Sequence, residues 1–320
     1  MNKVIISDCD HKDINIESKV LNDANIEFEL KQCITEQDVI NNCKEATVII
    51  NQYAPITRKV MESLNNLKMV VRYGVGVNNV DVAAATELGV QICNVPDYGV
   101  DEVSDHAIAL MITLTRKINL MNSYTKNDKW DYIKAIPIRR NSTLNVGVIG
   151  LGRIGFKFAK KAHSLGFNIM GYDPFFRKTE ENKFIVQSTI DEIIEEADVI
   201  SVHCPLENNE NLFNKETFKK MKNSAFIINV SRGGIINEKD LDEALTNKEI
   251  AGAALDCLEK EPTNPEAALF KHENLIVTPH MAWYSEEASQ ELKRKVAEES
   301  VRFIKGEKVN YPVNKLGEVS

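Results

Sequence analysis

The run Asn145-Val-Gly-Val-Ile-Gly150-Leu-Gly152-Arg153-Ile154-Gly155 constrains this chain more than any other stretch. Its Val/Ile-rich start reads as a buried strand, and the spacing after Gly155 reads as an amphipathic helix. The glycines therefore sit at a strand-to-helix turn. Three glycines at this spacing are a weak signal alone. Context strengthens them, because Asp173 closes the next apolar run, 18 residues beyond Gly155. Gly150 permits the tight turn, Gly152 lets a pyrophosphate approach the backbone, and Gly155 lets helix and strand pack closely. The helix N-terminus adds unpaired N–H groups and the positive end of its dipole. The segment reads as a dinucleotide site, with Arg153 and Ile154 as further cofactor contacts. Asp173 would accept hydrogen bonds from ribose hydroxyls and repel a 2′-phosphate, which favours NAD over NADP. Arg177, four residues on, is the residue that argues for a phosphate there.

The motif lies inside a longer alternation of strand-like and helix-like stretches. Strands are expected at Asn145–Ile149, Asn168–Tyr172, Val199–Val202, Ala225–Val230, Gly252–Asp256 and Leu275–Thr278. Six strands with helical crossovers suit a doubly wound parallel sheet. The first hundred residues show a similar rhythm, with strands expected at Lys3–Ser7, Thr47–Asn51, Met69–Arg72 and Gln91–Cys93. Helices are expected at Glu36–Cys43, N-capped by Thr35, and at Arg58–Leu64. A long helix is expected from Glu102 past Lys117, followed by a polar segment from Asn122 to Thr143. A charged amphipathic helix, Glu286–Lys305, is expected to return to the first domain and leave it discontinuous. At 320 residues, two domains are the natural division.

A formal net charge of −8 argues against nonspecific binding to nucleic acid or to an anionic membrane surface. The apolar run Val4–Ile6 is cut short by Asp8 and Asp10, unlike a secretory signal. The longest apolar run, near Ala107–Leu114, is too short for a membrane span. Six scattered cysteines without a C-x-x-C pair read as reduced thiols in a cytoplasmic protein, with no metal site.

Three ionisable residues follow the ends of the late strands, where open parallel sheets place their ligands. These are Arg232 in Ser231-Arg-Gly-Gly234, Glu261 in Glu261-Pro262, and His280 in Pro279-His280. Each alone reads as an ordinary loop residue. Together with Gly150-Leu-Gly-Arg-Ile-Gly155 and Asp256, they resemble the D-isomer-specific 2-hydroxyacid dehydrogenases. The likeness runs over nearly the whole chain. It includes Arg72-Tyr-Gly74-Val75-Gly76-Val-Asn-Asn-Val-Asp81 and Asn94-Val-Pro96, similar to that family's substrate-loop segments.

The resemblance implies an α/β architecture: a Rossmann-like cofactor domain at 99–284 and a discontinuous flavodoxin-like substrate domain at 1–98 and 285–320. It implies NAD as cofactor, a small 2-hydroxy or 2-keto acid as substrate, and a homodimer. Arg232 would bind the substrate carboxylate and carbonyl oxygen through its planar fork. The N–H groups of Val75 and Gly76 would also hold the carboxylate. His280 would move the proton at the carbonyl oxygen, with Glu261 as its partner. Asp256 would contact the nicotinamide end, and His203, Pro205, Val230 and Ser231 join the cofactor contacts. Glu207-Asn-Asn-Glu-Asn211 departs from the usual family continuation there and appears one residue short.

Trp283, three residues after His280, resembles the C-terminal binding protein branch, where it would wall the substrate pocket. Two other readings stand beside the metabolic dehydrogenase. One is a D-3-phosphoglycerate dehydrogenase of serine synthesis, against which the bulk of Trp283 speaks. The other is an NADH-sensing corepressor-like scaffold.

Overall fold

The computed structural model describes residues 2–127 and 129–317. The chain divides into two units, Met1–Gly99 with Ser285–Ser320, and Val100–Tyr284. In the first, β1 (Lys3–Ile6), β2 (Glu27–Leu30), β3 (Val48–Asn51), β4 (Met69–Arg72) and β5 (Gln91–Cys93) form one sheet in the order β2-β1-β3-β4-β5. All its pairings are parallel. This is the flavodoxin-like order. β1 and β3 are buried throughout, as unbroken Val/Ile runs require when both faces of a sheet are covered. β2 is half-exposed, and Lys3 of its neighbour reaches Glu27 and Glu29 on it. β2 alternates Ile26, Phe28 and Leu30 with Glu27 and Glu29, a period-2 strand signature distinct from the Val/Ile runs that mark the central strands.

The helix Glu286–Ile304 packs on β3, β4 and the helix Asn15–Asp23. It buries Leu292, Val296 and Ala297. Beyond it the chain returns to β5, where Val313 N–H donates to Ile92 O and Asn314 Oδ1 accepts from Ile92 N–H.

The second unit holds β6 (Asn145–Ile149), β7 (Asn168–Tyr172), β8 (Ile185–Gln187), β9 (Val199–Val202), β10 (Phe226–Asn229), β11 (Gly252–Leu255) and β12 (Leu275–Val277). Their order is β12-β11-β10-β9-β6-β7-β8, again with every pairing parallel. This is the doubly wound order, in which the chain reverses between β6 and β9. Strand β8 is a seventh strand beyond the six expected. It has three residues and lies at the edge, with Val186 and Gln187 exposed. Apolar side chains cover both faces of the sheet, with Ile200, Phe213 and Phe218 in one cluster and Val146, Phe158 and Ile169 in another.

The long helix expected past Lys117 is two helices, Val100–Thr115 and Ile118–Lys126. Lys117 between them takes φ 54°, and its N–H turns back to Leu114 O, ending the first helix. The polar segment expected from Asn122 is helical as far as Lys126. The Thr35 cap forms as expected, accepting from Asp38 N–H while Asp38 caps Thr35 in return. Among the described residues, no helix is long and apolar enough to cross a membrane.

Candidate active site

Register gathers the site. Ile149 pairs with Tyr172 and Val202, Asn229 with Val202 and Leu255, and Leu255 with Val277. The residues that follow these strand ends, Gly150, Asp173, His203, Val230, Asp256 and Thr278, therefore line one edge of the sheet. Residues spread from Gly150 to Thr278 are brought to this edge because parallel strands end level.

Each glycine of the turn sits in a distinct steric setting. Gly150 has φ +91°, and a Cβ there would stand 2.7 Å from the Cys204 amide nitrogen. A Cβ on Gly155 would stand 1.9 Å from Gly150 O, so the helix lies directly on the turn. At Gly152 a Cβ would meet no atom within 4 Å. Packing thus demands glycine at 150 and 155 but not at 152. The room left at Gly152 lies at the start of the helix Arg153–Ser164, whose N-terminus no side chain caps. A pyrophosphate fits that uncapped end. Asp173 braces the turn as well, since its Oδ2 accepts from Leu151 N–H at 2.9 Å and its Oδ1 from Phe175 N–H at 2.8 Å. Beside it, Tyr172, Asp173, Pro174, Gln187, Ser188, Thr189 and Glu192 line a cleft of about 310 Å³. Part of a nucleoside fits there.

His203 meets the glycine turn with its backbone and Cβ. Its ring packs against Phe158, 5.0 Å between centroids, and its Nε2 pairs with Ser201 Oγ at 2.8 Å. Burial pushes its pKa down to about 3, so the ring is neutral at working pH. Pro205 is exposed next to it. In the departing segment, Asn208 and Asn211 take positive φ, a backbone state asparagine tolerates, and Asn211 N–H donates to Gly234 O.

Arg232 stands in a tightly braced turn after β10. Asn229 Nδ2 donates to Arg232 O at 2.8 Å, and Ser231 N–H donates to Asn229 Oδ1 at 3.0 Å. Ser231 Oγ donates to Cys204 O, and Arg232 Nη1 donates to Ser231 O at 2.6 Å. A Cβ on Gly233 would stand 1.9 Å from Leu258 O, which seats the loop carrying Glu261 against this turn.

Glu261 reaches His280 at 2.6 Å, Oε2 to Nδ1, while its Oε1 accepts from Leu258 N–H at 2.8 Å. Burial alone would push the Glu261 carboxyl up. The His280 and Leu258 hydrogen bonds and the charges of His280 and Arg232 outweigh it and hold the carboxyl below the usual glutamate value. The carboxylate is thus ionised opposite the ring, which orients Nδ1–H toward it and leaves Nε2 for proton exchange. His280 itself has φ +53°. That left-handed state costs a side-chain-bearing residue about 1–2 kcal/mol and persists only where the surroundings hold it.

Asp256 is buried, with Oδ1 accepting from Thr278 Oγ1 at 2.6 Å and Met281 N–H at 3.0 Å, and Oδ2 from Ala282 N–H at 2.9 Å. It grips the chain around His280. Trp283 is half-buried and meets Tyr284 edge-on, 5.5 Å between ring centroids.

In the first unit, Val75 and Gly76 sit in the turn after β4. Val75 is exposed, and Asn94 Nδ2 holds its carbonyl at 2.7 Å. Gly74 has φ +123° and abuts the Arg72 guanidinium. Tyr73 anchors the loop from below, donating its hydroxyl to the buried Glu17 at 2.7 Å.

Sequence reasoning missed His106 in the helix Val100–Thr115. Its Nε2 lies 3.0 Å from Thr278 Oγ1, a partner 172 residues away. No local pattern marks such a residue. It becomes visible only once the sheet brings its partner to it.

Residues 108–282, more than half the chain, match the family model described as D-isomer specific 2-hydroxyacid dehydrogenase, NAD binding domain. The chain belongs to the D-isomer specific 2-hydroxyacid dehydrogenase family. Residues 108–282 are that family's NAD-binding domain. Over 293 residues it is 36% identical to a D-3-phosphoglycerate dehydrogenase of Archaeoglobus fulgidus, covering 90% of this chain and 55% of that protein. The chain thus spans little more than half the length of that relative. It is 34% identical over 289 residues to a hydroxypyruvate reductase of Blautia hydrogenotrophica, covering 87% of this chain and 88% of the relative. Among solved structures of the fold, apo D-lactate dehydrogenase from Escherichia coli superposes with a TM-score of 0.82 at 27% identity, covering 98% and 100% of the two chains.

Proposed function

We propose that this family member is an NAD-dependent D-2-hydroxyacid dehydrogenase interconverting a small 2-hydroxy acid and its 2-keto acid. The 2.6 Å pairing of His280 with an ionised Glu261, beside Arg232 and on the edge that bears the glycine turn, carries the reading. In reduction, His280 Nε2 donates a proton to the substrate carbonyl oxygen while Glu261 holds Nδ1–H. In oxidation, Nε2 takes that proton back. Arg232 binds the carboxylate and the carbonyl oxygen, and its charge favours the developing oxyanion. When bound, NADH supplies the hydride. Asp173, the cleft beside it and the N-terminus after Gly152 hold its nucleotide. Purified protein assayed with NADH and a panel of 2-keto acids tests the proposal. Absence of turnover on every member would leave a cofactor-sensing scaffold as the surviving reading.

A second substrate reading, 3-phosphohydroxypyruvate, is favoured by the names of relatives in Archaeoglobus fulgidus and Methanocaldococcus jannaschii, both D-3-phosphoglycerate dehydrogenases. Including that keto acid and hydroxypyruvate in the panel decides between them.

The proposal extends to a cytoplasmic homodimer. Trp130, Tyr132, Ile133 and Ile136 stand 60–90% exposed within one short segment, an apolar surface that a second copy would cover. The six cysteines are free thiols, as suits a reducing compartment. Light scattering of wild type and Trp130→Glu tests the dimer, since a variant that stays as dimeric as wild type removes this surface from it.

A further inference from the structure

We infer that His106 is a positioning residue for His280, acting through Thr278 and Asp256. The inference rests on reading His280 as the acid/base group.

The backbone at His280 needs holding, because it sits at φ +53°. Contacts on both sides supply the hold. His280 N–H donates to Thr278 O at 3.0 Å, and the Asp256 carboxylate takes the N–H groups of Met281 and Ala282. That carboxylate also accepts from the Thr278 hydroxyl at 2.6 Å.

Proton inventory fixes the direction of the chain. A carboxylate has no proton to give, so Thr278 donates its single hydroxyl proton to Asp256. Thr278 Oγ1 can then only accept from His106 Nε2, 3.0 Å away. His106 must therefore carry a proton on Nε2, and the chain runs from His106 to Thr278 to Asp256. His106 Nε2 lies 3.6 Å from Asp256 Oδ1, too far for a direct bond, which leaves the hydroxyl as the link. A donor on the first helix of the unit thereby sets the Thr278 rotamer, and Thr278 with Asp256 sets the turn that aims the His280 ring. His106 touches neither Glu261 nor Arg232 in any described contact, so its effect falls on placement.

Four variants of the full chain test this. Thr278→Val and His106→Leu remove the link, whereas Thr278→Ser and His106→Gln preserve a hydroxyl and an Nε2-like donor. The readouts are kcat and KM for the best 2-keto acid of the panel, NADH affinity by fluorescence titration, and thermal midpoint. Thr278→Val and His106→Leu are expected to lower kcat about 10–100-fold with NADH affinity unchanged, while the conservative pair recovers most of the loss. Full kcat in Thr278→Val and His106→Leu, or equal losses in His106→Gln and His106→Leu, would overturn the proposal. A purely structural role would lower the thermal midpoint of Thr278→Val and His106→Leu and leave kcat of the folded fraction intact, which would also overturn the proposal. Imidazole nitrogen NMR of histidine-labelled protein gives a readout apart from turnover. The resonance that vanishes in His106→Gln should report a protonated Nε2. Protonation on Nδ1 alone overturns this proposal alone, whereas normal turnover by His280→Ala overturns the acid/base reading and this proposal with it.

Discussion

Replacing Gly233 with alanine should separate Glu261 from His280 without touching either. The added Cβ would stand 1.9 Å from Leu258 O and 2.2 Å from Leu258 C, where ordinary contact begins at 3.4 Å. Leu258 must retreat by about 1.5 Å to restore that contact distance. Its N–H holds Glu261 Oε1 at 2.8 Å, and the other oxygen of Glu261 holds His280 at 2.6 Å. The displacement therefore reaches the acid/base pair through one residue. Overpacking of this kind costs about 1–3 kcal/mol, or about 3–10 °C in thermal midpoint for a unit of this size. A misplacement near 1 Å at the reacting groups lowers kcat by about 10²-fold. The assay is steady-state keto acid reduction followed by NADH absorbance, with a thermal melt on the same sample. Gly152→Ala is the control, since its Cβ meets nothing. It should keep the thermal midpoint within about 2 °C and instead raise KM for NADH. If Gly233→Ala keeps kcat within about 3-fold and melts like wild type, the claim that this contact seats the Glu261 loop is wrong.

Other outcomes follow from the same geometry. His280→Ala should lower kcat by about 10²–10⁴-fold while NADH still binds in fluorescence titration, and near-normal kcat would refute its role. Arg232→Lys should weaken the keto acid KM nearly as much as Arg232→Ala, because a single ammonium cannot match the planar fork, and full recovery by lysine would contradict bidentate binding. Asp173→Ser should raise the NADPH-to-NADH ratio of kcat/KM, and should also lower the thermal midpoint because Leu151 and Phe175 lose their acceptor. Glu17 is buried, and burial raises its carboxyl above the ordinary 4.5 despite the Tyr73 hydrogen bond. The folded state then binds the proton more tightly than the unfolded chain. Stability should fall as pH rises from about 4.5 through the raised value. Glu17→Gln should flatten that decline in melts taken across pH, and an unchanged slope would exclude Glu17 as its source.

Legibility tracked the range of the interactions involved. Strands buried on both faces announce themselves as Val/Ile runs, and β4, β5, β6, β7 and β9 begin and end where the pattern places them. β2 and β8 are short edge strands: β2 carries a period-2 alternation in place of an apolar run, and β8 buries Ile185 alone. The helix Asn15–Asp23 has the apolar Ile14 at its cap position, and Asp13, which accepts from Asn15 N–H at 3.0 Å, stands one residue outside it, so the usual boundary signal is displaced. The glycine turn was legible because its chemistry is local, confined to one strand, one turn and one helix. Glu261 and His280 were not legible that way, since each reads as a loop residue until the family pattern joins them. His106 and Thr278 lay beyond both routes.

The placement of the helix Glu286–Ile304 has a consequence during synthesis. It covers β3 and β4 of the first unit, yet about 185 residues of the second unit are translated before it. At ordinary elongation rates the ribosome needs roughly 10–40 s to reach it. Through that interval the nascent first sheet lacks the apolar cover of Leu292, Val296 and Ala297, while the second unit can complete its own sheet. The first part of the chain to emerge is therefore the last to finish folding, and it is where a chaperone would engage the growing polypeptide.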